Sequence, residues 1–143
     1  MQKLCSVILM LGLCEIAFTD LKKRKIPNRV LCVLILCRTM SLLISGTGQD
    51  WISSAKGAVL AGGSMLFFYI LFDEGIGAGD VKLLAVTGLW MGSDVVWEFL
   101  FVTFFVAAIF GMVQRYQTKD RMKTIPLAVC VLIGFLWNLF RTI

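Results

Sequence analysis

Long apolar segments alternate with short polar ones along the chain, and this alternation limits the folds that it can adopt. The apolar segments lie at 4–19, 30–44, 55–72, 81–92, 95–113 and 125–140. A helix that crosses the hydrocarbon core of a bilayer needs about 20 apolar residues, with a range of about 17–25. Hydrophobic residues occupy 59% of the 143 positions, more than a soluble domain of this size could bury. The sequence therefore predicts an all-α, polytopic integral membrane protein with about six transmembrane helices.

We expect a single transmembrane domain over residues 1–143 without a soluble domain, because the longest polar stretch, 114–124, is too short to fold alone. The fourth apolar segment reaches spanning length only if it begins near Ile76 and so includes Asp80. If that segment is re-entrant, the chain has five spans. The first segment resembles a cleaved signal peptide in length, but the basic cluster directly after it disfavours translocation.

The basic residues predict the orientation in the membrane. If six helices alternate in direction, ten of the fourteen lysines and arginines fall on one side: Lys22, Lys23, Arg24, Lys25, Arg29, Lys82, Arg115, Lys119, Arg121 and Lys123. Loops rich in lysine and arginine stay in the cytoplasm, which places both termini outside. Asp20 and Asp80 each lie at the edge of an apolar segment, and both then face the cytoplasm.

These two aspartates are the candidates for chemistry. The chain has no histidine, which excludes Ser-His-Asp and Cys-His catalysis and His-ligated zinc. Its five cysteines lie in apolar segments without C-x-x-C spacing, so we expect no metal and no cofactor. Two carboxyl groups can hydrolyse a peptide when one is ionised and the other protonated. Taken singly, Asp80 could instead be a helix N-cap and Asp20 a charge offset by the following lysines.

The helix ends suggest how the pair shares its proton. Asp20 ends the first predicted helix, where the dipole disfavours negative charge, whereas Asp80 begins the fourth, where the dipole favours it. The sequence thus predicts that Asp20 holds the proton and Asp80 acts as the base. Gly77 and Gly79 are expected to adopt backbone conformations that other residues resist and to let an extended substrate approach Asp80.

Three stretches resemble known motifs. GAGDVKLLA at 77–85, followed by GLWMG at 88–92, resembles the GxGD signature of prepilin peptidases, which are membrane-embedded aspartic proteases of type IV pilus systems. DLKKRKIPN at 20–28 resembles the first-aspartate motif of that family, and KTIPLAV at 123–129 resembles the entry to its last helix. The resemblance runs from Asp20 to about Leu132 in the family's order. It implies that Asp20 and Asp80 are catalytic, with Gly77, Gly79 and Lys82 where the substrate approaches.

The resemblance also implies the reaction. Enzymes of this family cleave the short basic leader from type IV prepilin-like (pilin or pseudopilin) precursors at the cytoplasmic face of the bacterial inner membrane. Longer members contain a Cys-x-x-Cys-rich insertion and N-methylate the new terminus. No cysteine lies between Asp20 and Val30, so methyltransferase activity is not expected. The chain looks most like the short peptidases of tight-adherence (Flp-type) pilus systems, while preflagellin and competence-pilin peptidases stay open.

The implied partners are a prepilin-like substrate and the lipid bilayer, with no nucleic acid. Asp73 and Glu74 precede the GxGD motif and are candidates to attract the basic leader, or they form part of a solvated loop. Two other functions stay open: a small transporter coupled to protons or cations, with the aspartates as its ion site, and a non-catalytic membrane subunit of a pilus or secretion machine.

Further expectations concern the packing of the helices. Small residues spaced four apart predict close helix contacts, namely Gly57 with Ala61, Ala58 with Gly62 and Gly88 with Gly92. By depth in the membrane, Arg38 is expected to contact Glu98. Tryptophans near the outer border are expected to form an aromatic belt: Trp51, Trp90 and Trp97, with Trp137 close to it.

Overall fold

The computed structural model describes residues 2–23, 26–71, 77–117 and 127–142, and these form six α-helices without any strand. The helices are α1 (Gln2–Lys23), α2 (Asn28–Ser45), α3 (Gly48–Leu71), α4 (Ala78–Met91), α5 (Val96–Gln117) and α6 (Leu127–Thr142). The predicted all-α class is confirmed for the described residues.

Contacts between helix ends show that consecutive helices run in opposite directions. At one end of the bundle, the N–H of Ala128 at the start of α6 donates to Asp20 near the end of α1. Ile26, between α1 and α2, contacts Gly79 in the first turn of α4 at the same end. We call this the aspartate end: α1 ends there, and α2, α4 and α6 begin there.

The opposite end of the bundle is defined by two further contacts. The Oγ atoms of Ser53, near the start of α3, and Ser93, just after α4, lie 3.1 Å apart. Glu98, in the first turn of α5, forms an ion pair with Arg141 near the end of α6. Both α3 and α5 therefore begin at the opposite end and run towards the aspartate end.

Two of the described helices are long and apolar enough to cross a membrane, at Gly48–Leu71 and Val96–Val113. In their most apolar stretches only 28% and 22% of the residues are buried, so most of this apolar surface faces outward. A core helix of a soluble protein would bury such a surface. Helix α4 has 14 residues and is about 21 Å long, which is shorter than the hydrocarbon core of about 30 Å. Six spans therefore stay a prediction.

Helices α3 and α4 make the most extensive contact between two helices of the described bundle. A Cβ added at Gly57 would collide with the carbonyl oxygen of Gly88, and one added at Gly88 would lie 2.7 Å from the Cβ of Ala61. Gly92 ends α4 with φ 74°, a left-handed conformation that favours glycine. The predicted close contact through Gly57, Ala61, Gly88 and Gly92 is confirmed.

Arg38 connects three helices through its guanidinium group. Nε donates to the carbonyl oxygen of Leu89 in α4 (3.3 Å), and Nη2 donates to Oγ of Ser54 in α3 (2.9 Å). The group also lies over the ring of Trp90, 5.7 Å from its centroid. A charged side chain within the bundle is thus compensated by hydrogen bonds and an aromatic face.

The predicted contact between Arg38 and Glu98 is wrong, because Glu98 pairs with Arg141. Arg38 and Glu98 are expected to lie at a similar depth in the membrane. Depth alone does not predict which neighbouring helix each side chain faces. In the bundle α5 packs mainly against α6, whereas α2 packs against α1 and α4.

The predicted aromatic belt is wrong at Trp90. This side chain is buried, and its Nε1 donates to the carbonyl oxygen of Leu34 in α2 (3.2 Å). Trp51, Trp97 and Trp137 are exposed, as the belt requires.

Candidate active site

Asp20 lies near the end of α1 and faces the beginning of α6. Its side chain is half-buried, and Oδ2 accepts a hydrogen bond of 3.4 Å from the backbone N–H of Ala128, the second residue of α6. The first N–H groups of a helix have no partner within the helix, and they stabilise a negative charge that lies close to them. This hydrogen bond acts in favour of the ionised form of Asp20, an effect that the prediction from α1 alone does not include.

This contact joins residues 108 positions apart, so the local pattern around Asp20 does not predict it. The signal that points towards it is the Ile-Pro pair at 125–126, because this pair directly precedes α6 and belongs to the motif resemblance.

Asp80 is the third residue of α4, and its Oδ2 accepts the N–H of Gly77 at 3.2 Å. Gly77 is the residue that caps the helix, so Asp80 bonds back to the cap and is not the cap itself. Burial raises the pKa of Asp80 to about 6; the hydrogen bond from Gly77 acts to lower it, and the charge of Asp20 adds to the rise. The helix dipole predicts a lowered pKa for Asp80. The pKa is raised instead, because the loss of hydration outweighs the effect of the dipole.

The structure brings the two candidate catalytic residues together. The charge of Asp20 contributes to the raised pKa of Asp80, so the two carboxyl groups are electrostatic neighbours. They belong to different helices, α1 and α4, and α6 supplies a hydrogen bond to one of them. Three helix ends thus meet at a pair of carboxyl groups.

The unusual backbone predicted for the two glycines of the motif is not found, whereas the approach of a substrate past them stays a prediction. Gly77 has φ −85° and ψ 141°, an ordinary extended conformation, and Gly79 lies in the first turn of α4 without a positive φ. Neither position needs glycine for its backbone. A Cβ added at Gly79 would lie 3.3 Å from the Cβ of Ile26, so the absence of a side chain there permits a close approach between two segments.

The other predicted site residues are Lys82, Asp73 and Glu74. Lys82 is exposed on α4. Asp73 and Glu74 lie outside the described residues. Within the described ranges no group of three or more His, Cys, Asp and Glu side chains is arranged to hold a metal ion.

A pair of adjacent carboxyl groups with unequal proton affinities can activate water and polarise a carbonyl group at the same time. One group must accept a proton from water, and the other must donate a proton to the carbonyl oxygen. Asp20 accepts an N–H group at the start of α6, and Asp80 is partly removed from water, which are the environments that these two roles require.

Comparison with known proteins is consistent with this site. Residues 7–113, which include both aspartates, match the model of the type IV leader peptidase family. Similar curated proteins are each named prepilin leader peptidase/N-methyltransferase. That of Aeromonas salmonicida is 29% identical over 144 residues (94% of this chain, 50% of that protein). That of Xanthomonas campestris pv. campestris is 26% identical over 147 residues (93% of this chain, 50% of that protein). That of Bacillus subtilis is 27% identical over 120 residues (83% of this chain, 48% of that protein).

The chain spans about half the length of these relatives. No solved structure matches it. Because the family model covers most of the sequence, the chain belongs to the type IV leader peptidase family.

Proposed function

We propose that this chain is a membrane-embedded aspartic endopeptidase that removes the short basic leader from type IV prepilin-like precursors. Asp20 and Asp80 are its catalytic pair. The observation that supports this assignment is that both carboxyl groups lie where α1 ends and α4 and α6 begin, near enough for the charge of Asp20 to add to the raised pKa of Asp80.

In the proposed mechanism Asp20 is the base and Asp80 is the acid. Asp20 takes a proton from water, the water oxygen attacks the scissile carbonyl carbon, and Asp80 donates its proton to the carbonyl oxygen. Asp20 then gives its proton to the leaving nitrogen as the C–N bond breaks, and Asp80 recovers a proton from the gem-diol. The pair returns to its starting state without any other reactant.

The charges at the two ends of the bundle support placing the site at the cytoplasmic face of the inner membrane. Exposed charged residues of the aspartate end are basic: Lys22, Lys23, Arg29 and Lys82. At the opposite end the exposed charged residues are the acidic Asp50, Asp94 and Glu98, with two basic residues, Arg141 and, further along α3, Lys56. The positive-inside rule assigns the basic end to the cytoplasm.

The experiment that tests this function is co-expression with a prepilin-like protein that has a basic leader and one apolar helix, followed by a gel-shift assay. The wild type should shorten the precursor, whereas Asp20→Asn and Asp80→Asn should each leave it intact. The matched control is Asp94→Asn, an exposed aspartate at the opposite end, which should retain cleavage. Cleavage by both active-site variants would refute the aspartic mechanism.

A further inference from the structure

Ile26 fits closely against the glycine that precedes Asp80. Measured from the position that a Cβ at residue 79 would occupy, three atoms of Ile26 lie within van der Waals reach: Cβ at 3.3 Å, Cδ1 at 3.4 Å and Cγ1 at 3.6 Å. A real side chain at residue 79 would have to displace Ile26 by a few tenths of an ångström. The contact joins the segment that follows Asp20 to the first turn of α4.

Ile26 is held firmly in this position. The following proline restricts it to an extended conformation. The carbonyl oxygen of Pro27 accepts the N–H groups of Val30 (3.1 Å) and Leu31 (3.5 Å), which ties the segment to the first turn of α2. The side chain of Ile26 is half-buried and packs against the hydrophobic core of the bundle. It therefore presents a fixed surface to Gly79.

Resting on the proposed function, we propose that Ile26 is a positioning residue of the active site, whose contact with Gly79 sets the place of Asp80 relative to Asp20. Ile26 follows Asp20 by six positions, and Gly79 directly precedes Asp80. Gly79 is then required by a contact within the enzyme. The alternative is that Gly79 is required by the approach of the substrate, and the two explanations predict different results for a double variant.

Asp20 on α1 is the charged group that raises the pKa of Asp80. The other charged or titratable groups of the neighbouring helices, within the described residues, are Cys14, Glu15, Lys22 and Lys23 on α1, Arg29, Cys32, Cys37 and Arg38 on α2, Asp50, Lys56 and Tyr69 on α3, and Cys130 and Arg141 on α6. Arg38 is engaged with Leu89 and Ser54, far along α4 from Asp80. Loosening the contact between Ile26 and Gly79 should therefore change the hydration of Asp80 and its coupling to Asp20 together.

A double-variant cycle on cleavage of the prepilin-like substrate tests the contact. Gly79→Ala should lower kcat/KM by about 10-fold or more, since small displacements of reacting groups are costly. Gly63→Ala is the matched control: it lies in α3 with open space around it and should keep the wild-type rate. Ile26→Ala should also lose activity. The combination of Ile26→Ala with Gly79→Ala should be more active than Gly79→Ala alone, because the loss of Cγ1 and Cδ1 leaves only Cβ to yield to the new methyl group.

The pH dependence of the same reaction distinguishes positioning from loss of folded protein. In the wild type, kcat/KM should fall as the pH rises through the pKa of Asp80, because the proton to be donated is lost. This fall is the alkaline limb of the pH profile. In Ile26→Ala the limb should move to lower pH, because Asp80 gains water and its coupling to Asp20 weakens. Ile26→Val keeps two of the three contacting atoms, Cβ and Cγ1, whereas Ile26→Ala keeps Cβ alone, so Ile26→Val should keep both the rate and the limb.

Two results would overturn the proposal: a double variant at least as impaired as the product of the single effects, or an unchanged limb in Ile26→Ala. A smaller amount of folded enzyme lowers the rate without moving the limb, so instability of a variant does not imitate the expected result. If the wild type itself fails to cleave, the proposed function fails instead, so the two failures are distinguishable.

Discussion

Asp80 loses contact with water on folding, and burial raises its pKa from the usual 3.8 to about 6. A carboxyl group whose pKa is raised by folding binds its proton more tightly in the folded chain than in the unfolded one. Its contribution to stability is complete below pH 3.8 and is lost as the pH rises through 6. At neutral pH the ionised Asp80 therefore destabilises the fold, which is a common property of catalytic groups.

Replacing Asp80 should for this reason stabilise the protein while it abolishes cleavage. Asp80→Asn should raise the Tm in detergent at pH 7.5, because the amide has no charge to bury, and should change it little at pH 4. The matched control, Asp94→Asn, replaces an exposed aspartate and should show no such pH-dependent gain. The measurement is thermal unfolding of both variants and the wild type at the two pH values. An equal Tm of Asp80→Asn and the wild type at pH 7.5 would contradict the assignment.

The sequence identifies which residues form the site better than it identifies their proton states. Asp20 and Asp80 stand out locally, since each charged residue adjoins an apolar segment and a recognisable motif. Their proton affinities depend on what reaches them in space. The N–H of Ala128 approaches Asp20 from another helix, and burial outweighs the helix dipole at Asp80. Local helix position alone predicts a lowered pKa for Asp80, whereas burial raises it.

At the scale of the helices, a contact that depends on residue spacing within one helix is easier to predict than one that depends on how several helices are rotated about their axes. The i, i+4 spacing of small residues predicts that α3 and α4 approach closely, because spacing is a property of one helix. The partner of Arg38 depends on how several helices are rotated about their axes. Arg38 reaches α3 and α4, and the predicted partner Glu98 is taken by Arg141.

The close approach of α3 and α4 leads to a prediction about Gly57. A Cβ at this position would meet the backbone of Gly88 and Gly92, which is not free to move as a side chain is. Gly57→Ala should therefore force the helices apart and destabilise the fold by about 1–3 kcal/mol. Gly63→Ala adds the same methyl group to the same helix in open space and is the matched control. Thermal unfolding in detergent should show a lower Tm for Gly57→Ala only; equal Tm values would mean that the contact is looser than the structure has it.

The two arginines with described partners should differ in their effect on stability. Arg38 donates to Ser54, which is buried, so Arg38→Gln should leave a polar group without its partner and cost about 1–3 kcal/mol. Arg141 pairs with Glu98 on the exposed surface, and Arg141→Gln should cost less than about 1 kcal/mol. Chemical denaturation of the two variants measures both values. A larger loss for Arg141→Gln would reverse the assigned roles.

At the scale of the whole molecule, the direction of the helices determines where the site lies. The two candidate spans, α3 and α5, both run towards the aspartate end, so both would end on the same face of the membrane. Helices α4 and α6 begin at that end and return. The exposed basic residues Lys22, Lys23, Arg29 and Lys82 lie there, whereas the other end has the acidic residues Asp50, Asp94 and Glu98 together with Arg141. An alternating bundle with this charge distribution would present its catalytic pair to the cytoplasm.

Labelling of single cysteines tests this arrangement. In a background without the five native cysteines, checked for cleavage, cysteine would replace the exposed residues Lys22 and Lys82 at the aspartate end. The matched positions at the opposite end are Gln49 and Asp94, which are also exposed. A membrane-impermeant maleimide should label the variants at 49 and 94 in intact spheroplasts, because their helix ends face outward.

The variants at 22 and 82 should react only after the membrane is permeabilised, and they should do so together. This pairing is the informative result, because it depends on α1 ending where α4 begins. If one of the two reacts in intact spheroplasts and the other does not, Asp20 and Asp80 are on different faces of the bilayer. No movement of side chains could then bring the two carboxyl groups to one water molecule, and hydrolysis by this pair would be impossible.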